Sequence, residues 1–378
     1  MNEDRLRTMA ERVVGVAASF LAAASFACHD TAAPTAQKPV PAPTTPAEIG
    51  ITQMHLPTPD GSFNLLHPSV HCNDSTCFML ACQHTLRDFH GGTRDDIVEN
   101  TVGFKSTGTR MLDWKPVANP IMNADEIDST ANFSDPELLE LQPGLVAYSR
   151  LAPATADILY MKQSNDTVTW TQMKEVLRGP RNTLISPTVM RNGSEYDLWA
   201  VDAAPMGCTA NATLTVRRRS PDYTDFSKAI VDTTDLDETS VPGMVPWHIE
   251  MVRGPSDRPD SIIVLVAMHP PGQPCGVSSL FIGTTVDGKH IRMNPGPVRT
   301  GGDDLFSMVY RSSGVYFPKH RTFVAMLSGT KENGHPEARL ARVKYDFDSL
   351  LAVTRDGRTP APLSVRLVPL WFLRSEGR

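Results

Sequence analysis

The sequence has no strong excess of charge of either sign. Its formal net charge is −6 over 378 residues, and the charged residues are spread along the chain. Nucleic acids and anionic membranes are bound by concentrated basic patches, so this distribution argues against both as direct partners. With 40% hydrophobic residues the chain can still bury a large core, which places it among globular proteins.

Motifs of several common enzyme classes are also missing. The sequence contains no phosphate-binding glycine loop, no Gly-x-Ser-x-Gly elbow and no His-Glu-x-x-His pair. Their absence argues against nucleotide-dependent enzymes, common serine hydrolases and zinc proteases. Helical segments are scarce beyond the N-terminal region, whereas 31 prolines and 25 glycines supply many turns. These features favour an all-β fold.

One long apolar run, residues 13–27, is too short to cross a bilayer comfortably. Arginines precede it, and small residues lead from it into Cys28, so residues 1–28 are predicted to be an export leader. The leader resembles that of bacterial lipoproteins, in which the cysteine is lipidated; an ordinary signal peptide cleaved near Ala27 is the alternative. Either way the protein is expected to be extracytoplasmic, anchored by lipid to the bacterial cell envelope or secreted.

The next segment, residues 29–49, consists largely of Pro, Ala and Thr, with almost no large apolar side chain. Such a composition cannot support a packed core, and its prolines favour an extended conformation. The segment is therefore predicted to be a tether, followed by a folded domain over residues 50–378.

Export permits disulfide bonds. Cys72 and Cys77 flank a polar turn between two apolar strands, so they are expected to pair across a hairpin. Cys208 and Cys275 follow equivalent strands in neighbouring repeats and are expected to pair with each other. Cys82 then remains as a buried free thiol.

The folded domain repeats one unit five times. Each unit has a short apolar strand that opens on a polar residue, a second apolar strand, and a strand that runs into a polar turn and an aromatic residue. Three of these endings fall at Trp114, Trp170 and Phe226, two successive steps of 56 residues. Such repeats are typical of β-propeller blades, because one blade cannot bury both faces of its sheet alone. We therefore predict an all-β, five-bladed β-propeller. The predicted blades span residues 64–118, 132–178, 184–234, 245–295 and 306–346.

Two further features bear on this architecture. An open ring would leave strand edges unpaired, so residues 51–56, residues 363–372 or both are expected to complete the last blade. Residues 162–170 and 284–291 resemble the Ser-x-Asp-Gly-x-x-Trp turns of sialidase-type propellers, which implies a structural role for them.

In a propeller the first strands of all blades begin at one mouth of the central channel, so their opening residues converge. The opening positions hold His67, Asp135, Ser186, His248 and either Tyr310 or Arg311. Two residues further on, on the same face of each strand, stand Ser69, Glu137, Thr188 and Glu250. A ring of titratable groups is thus predicted on the channel axis, where it serves a ligand or is satisfied by internal hydrogen bonds.

The blade openings Ser134-Asp135-Pro136, Ile185-Ser186-Pro187 and Pro246-Trp247-His248 resemble those of the five-bladed furanosidases, arabinanases and β-fructosidases. The resemblance extends over residues 60–346. It implies a glycan as ligand, no organic cofactor and three catalytic carboxyl groups, one on each of the first three blades. Asp135 matches the orienting acid of blade 2, but His67 stands on blade 1, and Ser186 or Thr188 on blade 3, where the family has its other two acids.

Hydrolysis of a glycosidic bond usually needs two carboxyl groups. The predicted catalytic residues are therefore Asp135, Glu137 and Glu250, with His67 as an additional base. Glu137 and Glu250 occupy equivalent positions on blades 2 and 4, across the channel from each other. The predicted substrate-binding residues are His248, Trp247, Arg311, Tyr310 and Ser186. Among these, Trp247 can stack on a sugar face and Arg311 suits an anionic group.

No metal site is predicted from histidine spacing, because His67 and His71 lie too far apart along a strand to share an ion. A single central ion bound through His248 is the remaining alternative. Taken together, the sequence predicts an exported, lipid-anchored, monomeric propeller that recognises glycans and, if it is an enzyme, is a glycoside hydrolase. A carbohydrate-binding propeller without activity, which the missing acids favour, and a scaffold for a protein partner are the alternatives.

Overall fold

The structure is a computed structural model that describes residues 52–346 with short gaps. The gaps are residues 60, 74, 87–96, 109, 142–143, 238, 255–261, 295, 299–305 and 331–337. The described part consists of 21 β-strands and four short 3-10 helices, without any α-helix. Accordingly, it holds no helix long and apolar enough to cross a membrane. The predicted leader and tether lie outside the described residues.

The strands are numbered in chain order. They are β1 (Thr52–Met54), β2 (Leu65–Cys72), β3 (Thr76–Leu86), β4 (Ile97–Thr107), β5 (Trp114–Pro116), β6 (Phe133–Leu141), β7 (Gly144–Leu151), β8 (Ala156–Ser164), β9 (Lys174–Pro180), β10 (Ile185–Asn192), β11 (Glu195–Asp202), β12 (Leu214–Ser220), β13 (Ile230–Leu236), β14 (Val245–Arg253), β15 (Ile262–His269), β16 (Ser279–Thr285), β17 (His290–Met293), β18 (Met308–Val309), β19 (Ser313–Phe317), β20 (Thr322–Thr330) and β21 (Ala338–Asp346). The 3-10 helices are Ala124–Glu126, Gly207–Thr209, Cys275–Val277 and Pro318–His320.

These strands form five antiparallel units, which we call units I to V. Strands β2 to β5 form unit I and β6 to β9 form unit II. Strands β10 to β13 form unit III and β14 to β17 form unit IV, and the parallel pair β13–β17 joins the two. Unit V contains β18 to β21 together with β1. The units coincide with the predicted repeats to within two residues, and the predicted all-β, propeller-like architecture is confirmed.

The second strand of each unit is buried on both faces. In β3, Phe78 and Leu80 pack into an apolar cluster with unit II, whereas the alternating Met79 and Ala81 pack into a cluster with unit V. The same alternation gives three more clusters, between units II and III, III and IV, and IV and V. Because side chains alternate along a strand, a strand packed between two neighbours must be apolar at every position.

The first strands of units I to IV form a closed ring with β19 of unit V, which follows the two-residue strand β18. Strand β2 contacts β6, β6 contacts β10, β10 contacts β14, β14 contacts β19, and β19 contacts β2. The start of the folded domain completes the last unit, because β1 pairs with β21 at its outer edge. Of the two predicted closing segments, residues 51–56 thus contain a strand with this role, and residues 363–372 lie outside the described part.

Two tight turns carry the predicted aspartate caps. Asp166 Oδ1 accepts hydrogen bonds from the backbone N–H groups of Val168 and Thr169, at 2.8 and 2.7 Å. Asp287 caps the second turn in the same way. Trp170, at the end of the first turn, packs into the cluster between units I and II, so this motif stabilises the fold.

Both predicted disulfides are present. Cys72 pairs with Cys77 across the hairpin of β2 and β3, and Cys208 pairs with Cys275. The second bond joins the loops that follow β11 in unit III and β15 in unit IV. Cys82 is a buried free thiol, as predicted.

Replacing Cys208 and Cys275 by serine is expected to lower the free energy of unfolding by about 4 kcal/mol. The cause is loop closure in the unfolded chain, because this bond spans 67 residues. Replacing Cys72 and Cys77, which are 5 residues apart, is expected to cost only about 2 kcal/mol. Urea unfolding of both variants measures the difference, and equal losses would contradict this account.

Candidate functional site

The first strands of units I to IV each shift register near their start. At three of these shifts the backbone enters the left-handed region, with φ of 51° at His67, 52° at Asp135 and 53° at Ser186. Each of the three residues precedes a proline. A left-handed non-glycine residue costs on the order of 1 kcal/mol or more, and such bulges re-aim side chains. These three backbone conformations therefore lower the free energy of unfolding, and they fix the directions of the three side chains.

Two of these side chains, those of His67 and Asp135, meet that of His248 in the channel. The Nδ1 atom of His67 lies 3.5 Å from Asp135 Oδ1, and the Nδ1 atom of His248 lies 3.3 Å from the same oxygen. The two imidazole rings are 4.8 Å apart between centroids. All three residues are buried. We call His67, Asp135 and His248 the His–Asp cluster.

The His–Asp cluster is not satisfied by its own hydrogen bonds. Five of its buried atoms make no hydrogen bond to any described residue: both ring nitrogens of His67, both of His248, and Asp135 Oδ1. The two nitrogen–oxygen approaches, at 3.5 and 3.3 Å, are longer than ordinary N–H···O hydrogen bonds. Each buried polar atom without a partner costs roughly 1–3 kcal/mol. Such a concentration of unmet atoms at one point suits a site that binds something.

The charge state of the cluster follows from its surroundings. Burial lowers the pKa of His67 and of His248, so both rings are neutral at neutral pH. Burial alone would raise the pKa of Asp135, but the charged guanidinium of Arg150 beside it holds that pKa well below its ordinary value. The cluster therefore presents one ionised carboxylate to two neutral imidazoles.

This donor set fits a divalent metal ion. One ligand atom from each member of the cluster lies within 4.8 Å of the other two. Neutral imidazole and carboxylate are ligands of Zn²⁺ and related ions, and the unmet ring nitrogens of His67 and His248 leave lone pairs available. Spacing along the sequence could not indicate this set, because its members come from units I, II and IV. The alternative of a central ion through His248 thus has residues that could hold it.

Two neighbours of the cluster were not predicted to belong to the site. Glu99 on β4 and Cys82 on β3 each have a ligand atom within 4.8 Å of one on His67. Burial and the nearby charge of Asp135 raise the pKa of Glu99 to about 8. Burial also raises the pKa of the Cys82 thiol, which agrees with its expected lack of reactivity. The sequence offers no periodic signal for Glu99, because it is a single acidic residue followed by the polar Asn100 within β4.

Next to the cluster along the channel, Arg311 is fully buried. Its guanidinium donates to Glu137 Oε2 at 2.7 Å and to Glu250 Oε2 at 2.5 Å. It also donates to the carbonyl oxygens of Pro136 and Pro187, at 2.8 and 3.0 Å. We call Arg311, Glu137 and Glu250 the channel plug.

The remaining carboxylate oxygens of the plug are also occupied. Glu137 Oε1 accepts a hydrogen bond from Thr188 at 3.0 Å, and Glu250 Oε1 accepts one from Ser313 at 2.8 Å. Glu137 and Glu250 thus face each other as the sequence predicts, but around Arg311 instead of around an open cleft. Both acids also line the cavity that adjoins the plug, so their catalytic role stays a prediction.

The other predicted binding residues divide between packing and the cluster. The hydroxyl of Ser186 donates to the carbonyl oxygen of Ile249 at 2.8 Å and accepts from its N–H at 3.1 Å, so it ties unit III to unit IV. The ring of Tyr310 lies edge-on to both imidazoles of the cluster, 5.4 Å from that of His248. The half-buried Trp247 lies 5.7 Å from the same ring.

Beyond the plug, the channel opens into a cavity of about 440 Å³. It is lined by the later halves of the first strands, whereas the His–Asp cluster lies where those strands begin. The plug therefore lies between this cavity and the unmet polar atoms of the cluster, which are buried near the strand starts.

The fold and this polar centre define an all-β protein with propeller-like sheets and a titratable cluster on the channel. No protein-family model matches the chain, and no curated protein matches it. A solved structure of an N-acetylgalactosamine deacetylase from F. plautii, in complex with blood group B trisaccharide, is similar with a TM-score of 0.61 and 16% identity. The similarity covers 78% of this chain and 92% of that one.

A second similar structure is the GH43_1 enzyme from Xanthomonas citri in complex with xylose, with a TM-score of 0.52 and 8% identity, covering 74% of this chain and 86% of that one. At such identities the likeness concerns the fold. The predicted resemblance to the arabinanase-like propellers is confirmed at that level. Both structures are described with sugars.

Arg311→Met is expected to lower the free energy of unfolding by about 3–5 kcal/mol, because it leaves two buried carboxyl groups without their cation. The exposed pair of Arg178 and Glu175 provides a control, and Arg178→Met is expected to cost less than about 1 kcal/mol. Urea unfolding gives both values. A loss for Arg311→Met as small as that for the control would show that the plug does not hold the channel together.

Proposed function

We propose that this protein is a glycan-acting propeller whose site is the His–Asp cluster. One observation carries the proposal: five buried polar atoms of that cluster have no hydrogen-bond partner among the described residues. Sugar hydroxyl and amide groups both donate and accept hydrogen bonds, so they match an array of imidazole nitrogens and a carboxylate oxygen. The channel plug, by contrast, is satisfied internally and needs no ligand.

The proposal takes units I to V to be the five blades of a monomeric propeller around one channel. The closed ring of contacts among the first strands supports it, as do the five apolar clusters between neighbouring units. In that arrangement the openings of the first strands converge at one mouth, and this is where the His–Asp cluster lies.

Aromatic side chains beside the cluster suit a sugar. Trp247 and Tyr310 both lie against His248, and aromatic rings stack on the apolar faces of sugars. The two similar solved structures are described with blood group B trisaccharide and with xylose, which also supports a glycan as ligand. Trp247 is proposed to stack on the sugar, with the reacting or recognised group directed at the cluster.

If the protein is a hydrolase, the acid and the base are proposed to be Glu99 and Asp135. The environments of the two carboxyl groups move their pKa values apart, since burial raises the pKa of Glu99 to about 8 while the pKa of Asp135 is held low. A carboxyl group that is protonated at neutral pH beside one that is ionised is the pattern that general acid and base catalysis requires. Glu137 and Glu250 are proposed to be structural in this scheme.

A second candidate is a metal-dependent hydrolase that removes an acyl group from a sugar. The fit of His67, Asp135 and His248 to a divalent ion favours it, and one similar structure is described as a deacetylase. A bound ion supplies Lewis-acid polarisation and a water of lowered pKa. The chain's own part is to hold the neutral imidazoles and the ionised carboxylate in place and to exclude bulk water by burial.

The protein is further proposed to be exported and anchored through a lipid on Cys28, with residues 29–49 as a tether and residues 50–378 as the propeller. Two disulfides in the described residues support an oxidising compartment.

Asp135→Asn is expected to abolish glycan binding, or to reduce hydrolysis by at least about 100-fold, because it removes the only charge of the cluster. Glu99→Gln is expected to keep binding and lose hydrolysis. A glycan array, together with assays for reducing ends and for free acetate over a polysaccharide panel, separates binding, glycosidic cleavage and deacylation.

Asp113→Asn is the matched control, because Asp113 is exposed and directly precedes β5, the strand of unit I at the opposite edge of the sheet from β2. Activity that survives Asp135→Asn but is lost in Glu250→Gln would return the site to the acids first predicted from the sequence. The absence of any glycan signal would contradict the proposal and favour a protein partner.

For the metal-dependent candidate, the metal-free protein is expected to bind one Zn²⁺ per chain in a calorimetric titration. His248→Ala should weaken binding by more than the 10–100-fold that loss of an outer-shell partner typically costs, because a direct ligand is removed. His290→Ala, at an exposed histidine, should bind Zn²⁺ as the unaltered protein does. Unchanged affinity in His248→Ala would rule this candidate out.

A further inference from the structure

The two oxygens of Asp135 lie in different surroundings. Oδ2 accepts a hydrogen bond from the hydroxyl of Ser134 at 3.2 Å and lies 3.0 Å from Arg150 Nη2. Oδ1 faces both imidazole rings of the His–Asp cluster and has no hydrogen-bond partner among the described residues. The carboxylate is therefore held by one oxygen and left open at the other.

Arg150 is itself fixed from several sides. It lies on β7 directly across from Ser134 and donates to the hydroxyl of that residue at 2.8 Å. Its Nη1 atom donates to Asp157 Oδ1 at 3.4 Å. The second oxygen of Asp157 accepts the backbone N–H of Leu184, at the start of unit III, at 3.0 Å. The guanidinium thus spans two buried carboxylates in a plane that backbone and side-chain contacts define.

The Arg150 guanidinium divides its contacts between Asp135 and Asp157. Nη2 lies against Asp135 Oδ2 and donates to the hydroxyl of Ser134, which itself donates to Asp135 Oδ2, whereas Nη1 donates to Asp157. Both ends of this bridge are buried, so a movement of Arg150 changes the position of the Asp135 carboxylate.

We propose that Arg150 is a positioning residue, which bridges Asp135 and Asp157 so that Asp135 presents Oδ1 to the ligand of the His–Asp cluster. The proposal rests on the proposed function for its purpose, but its geometry can be tested without any ligand. Lysine cannot replace this arginine fully, because a single ammonium group lacks the planar fork that spans both carboxylates.

The test uses ring nitrogen resonances of the protein labelled with ¹⁵N-histidine, free of metal and ligand. His67 and His248 are assigned by substitution of each. Arg150→Met is expected to shift both ring signals, as Asp135→Asn does, because the carboxylate beside them turns or moves. The double variant Arg150→Met, Asp135→Asn is expected to match Asp135→Asn alone, since Arg150 acts through Asp135. Arg150→Lys should give an intermediate shift.

Arg217→Met provides a matched control. Arg217 is also buried and pairs with a buried carboxylate, at 2.7 Å from Asp197 Oδ2, but it belongs to unit III and does not contact the cluster. The Arg217→Met variant should lower the free energy of unfolding without changing the ring nitrogen chemical shifts of His67 and His248. The proposal is overturned if Arg150→Met leaves both signals in place, or if it shifts them further in the double variant than Asp135→Asn alone. Neither result depends on a glycan, so a negative glycan screen would reject only the proposed function.

Discussion

The architecture of the channel depends on one guanidinium group. Arg311 enters from unit V and donates hydrogen bonds to side chains of units II and IV and to main-chain carbonyls of units II and III. A ring of sheets brings its first strands together on one axis, where polar side chains must satisfy each other or meet a ligand. In the channel plug the polar side chains satisfy each other, because one cation, Arg311, pairs with two acids, Glu137 and Glu250. The plug thereby joins the first strands of four units.

Closer to the starts of the strands, the converging polar side chains do not satisfy one another. The residues two positions earlier form the His–Asp cluster, whose imidazole nitrogens and Oδ1 atom are buried without a hydrogen-bond partner among the described residues. The two levels differ because Arg311 supplies donors to one of them only, whereas Arg150 occupies a single oxygen of Asp135 in the other. A structural polar core would close both levels. The difference between them is the physical reason for placing function at the His–Asp cluster.

Much of the fold could be predicted from local pattern. Near-continuous apolar second strands recur in every unit, because each unit meets the same packing environment, and three of the units also open on a polar residue followed by proline. Cys72 and Cys77 are neighbours across a hairpin, and Cys208 and Cys275 sit in equivalent loops, so both bonds followed from the repeat. The residues of the candidate site could be predicted from the sequence only in part. Asp135, His67 and His248 were identified as converging, but the role of Glu99 was not seen, because a lone acid within a strand carries no periodic signal.

The sequence by itself determined the repeat, the apolar layers between units and the set of polar residues that must share the channel axis, since each of these depends on spacing along a strand. Which members of that set pair with one another was decided only by the tertiary structure. Glu137 and Glu250 are bridged by Arg311 of another unit, which lies between them, and Asp135 kept an open oxygen because Arg150 and Ser134 hold the other one. Such pairing depends on ångström-scale distances between separate units, and spacing along one chain does not encode them.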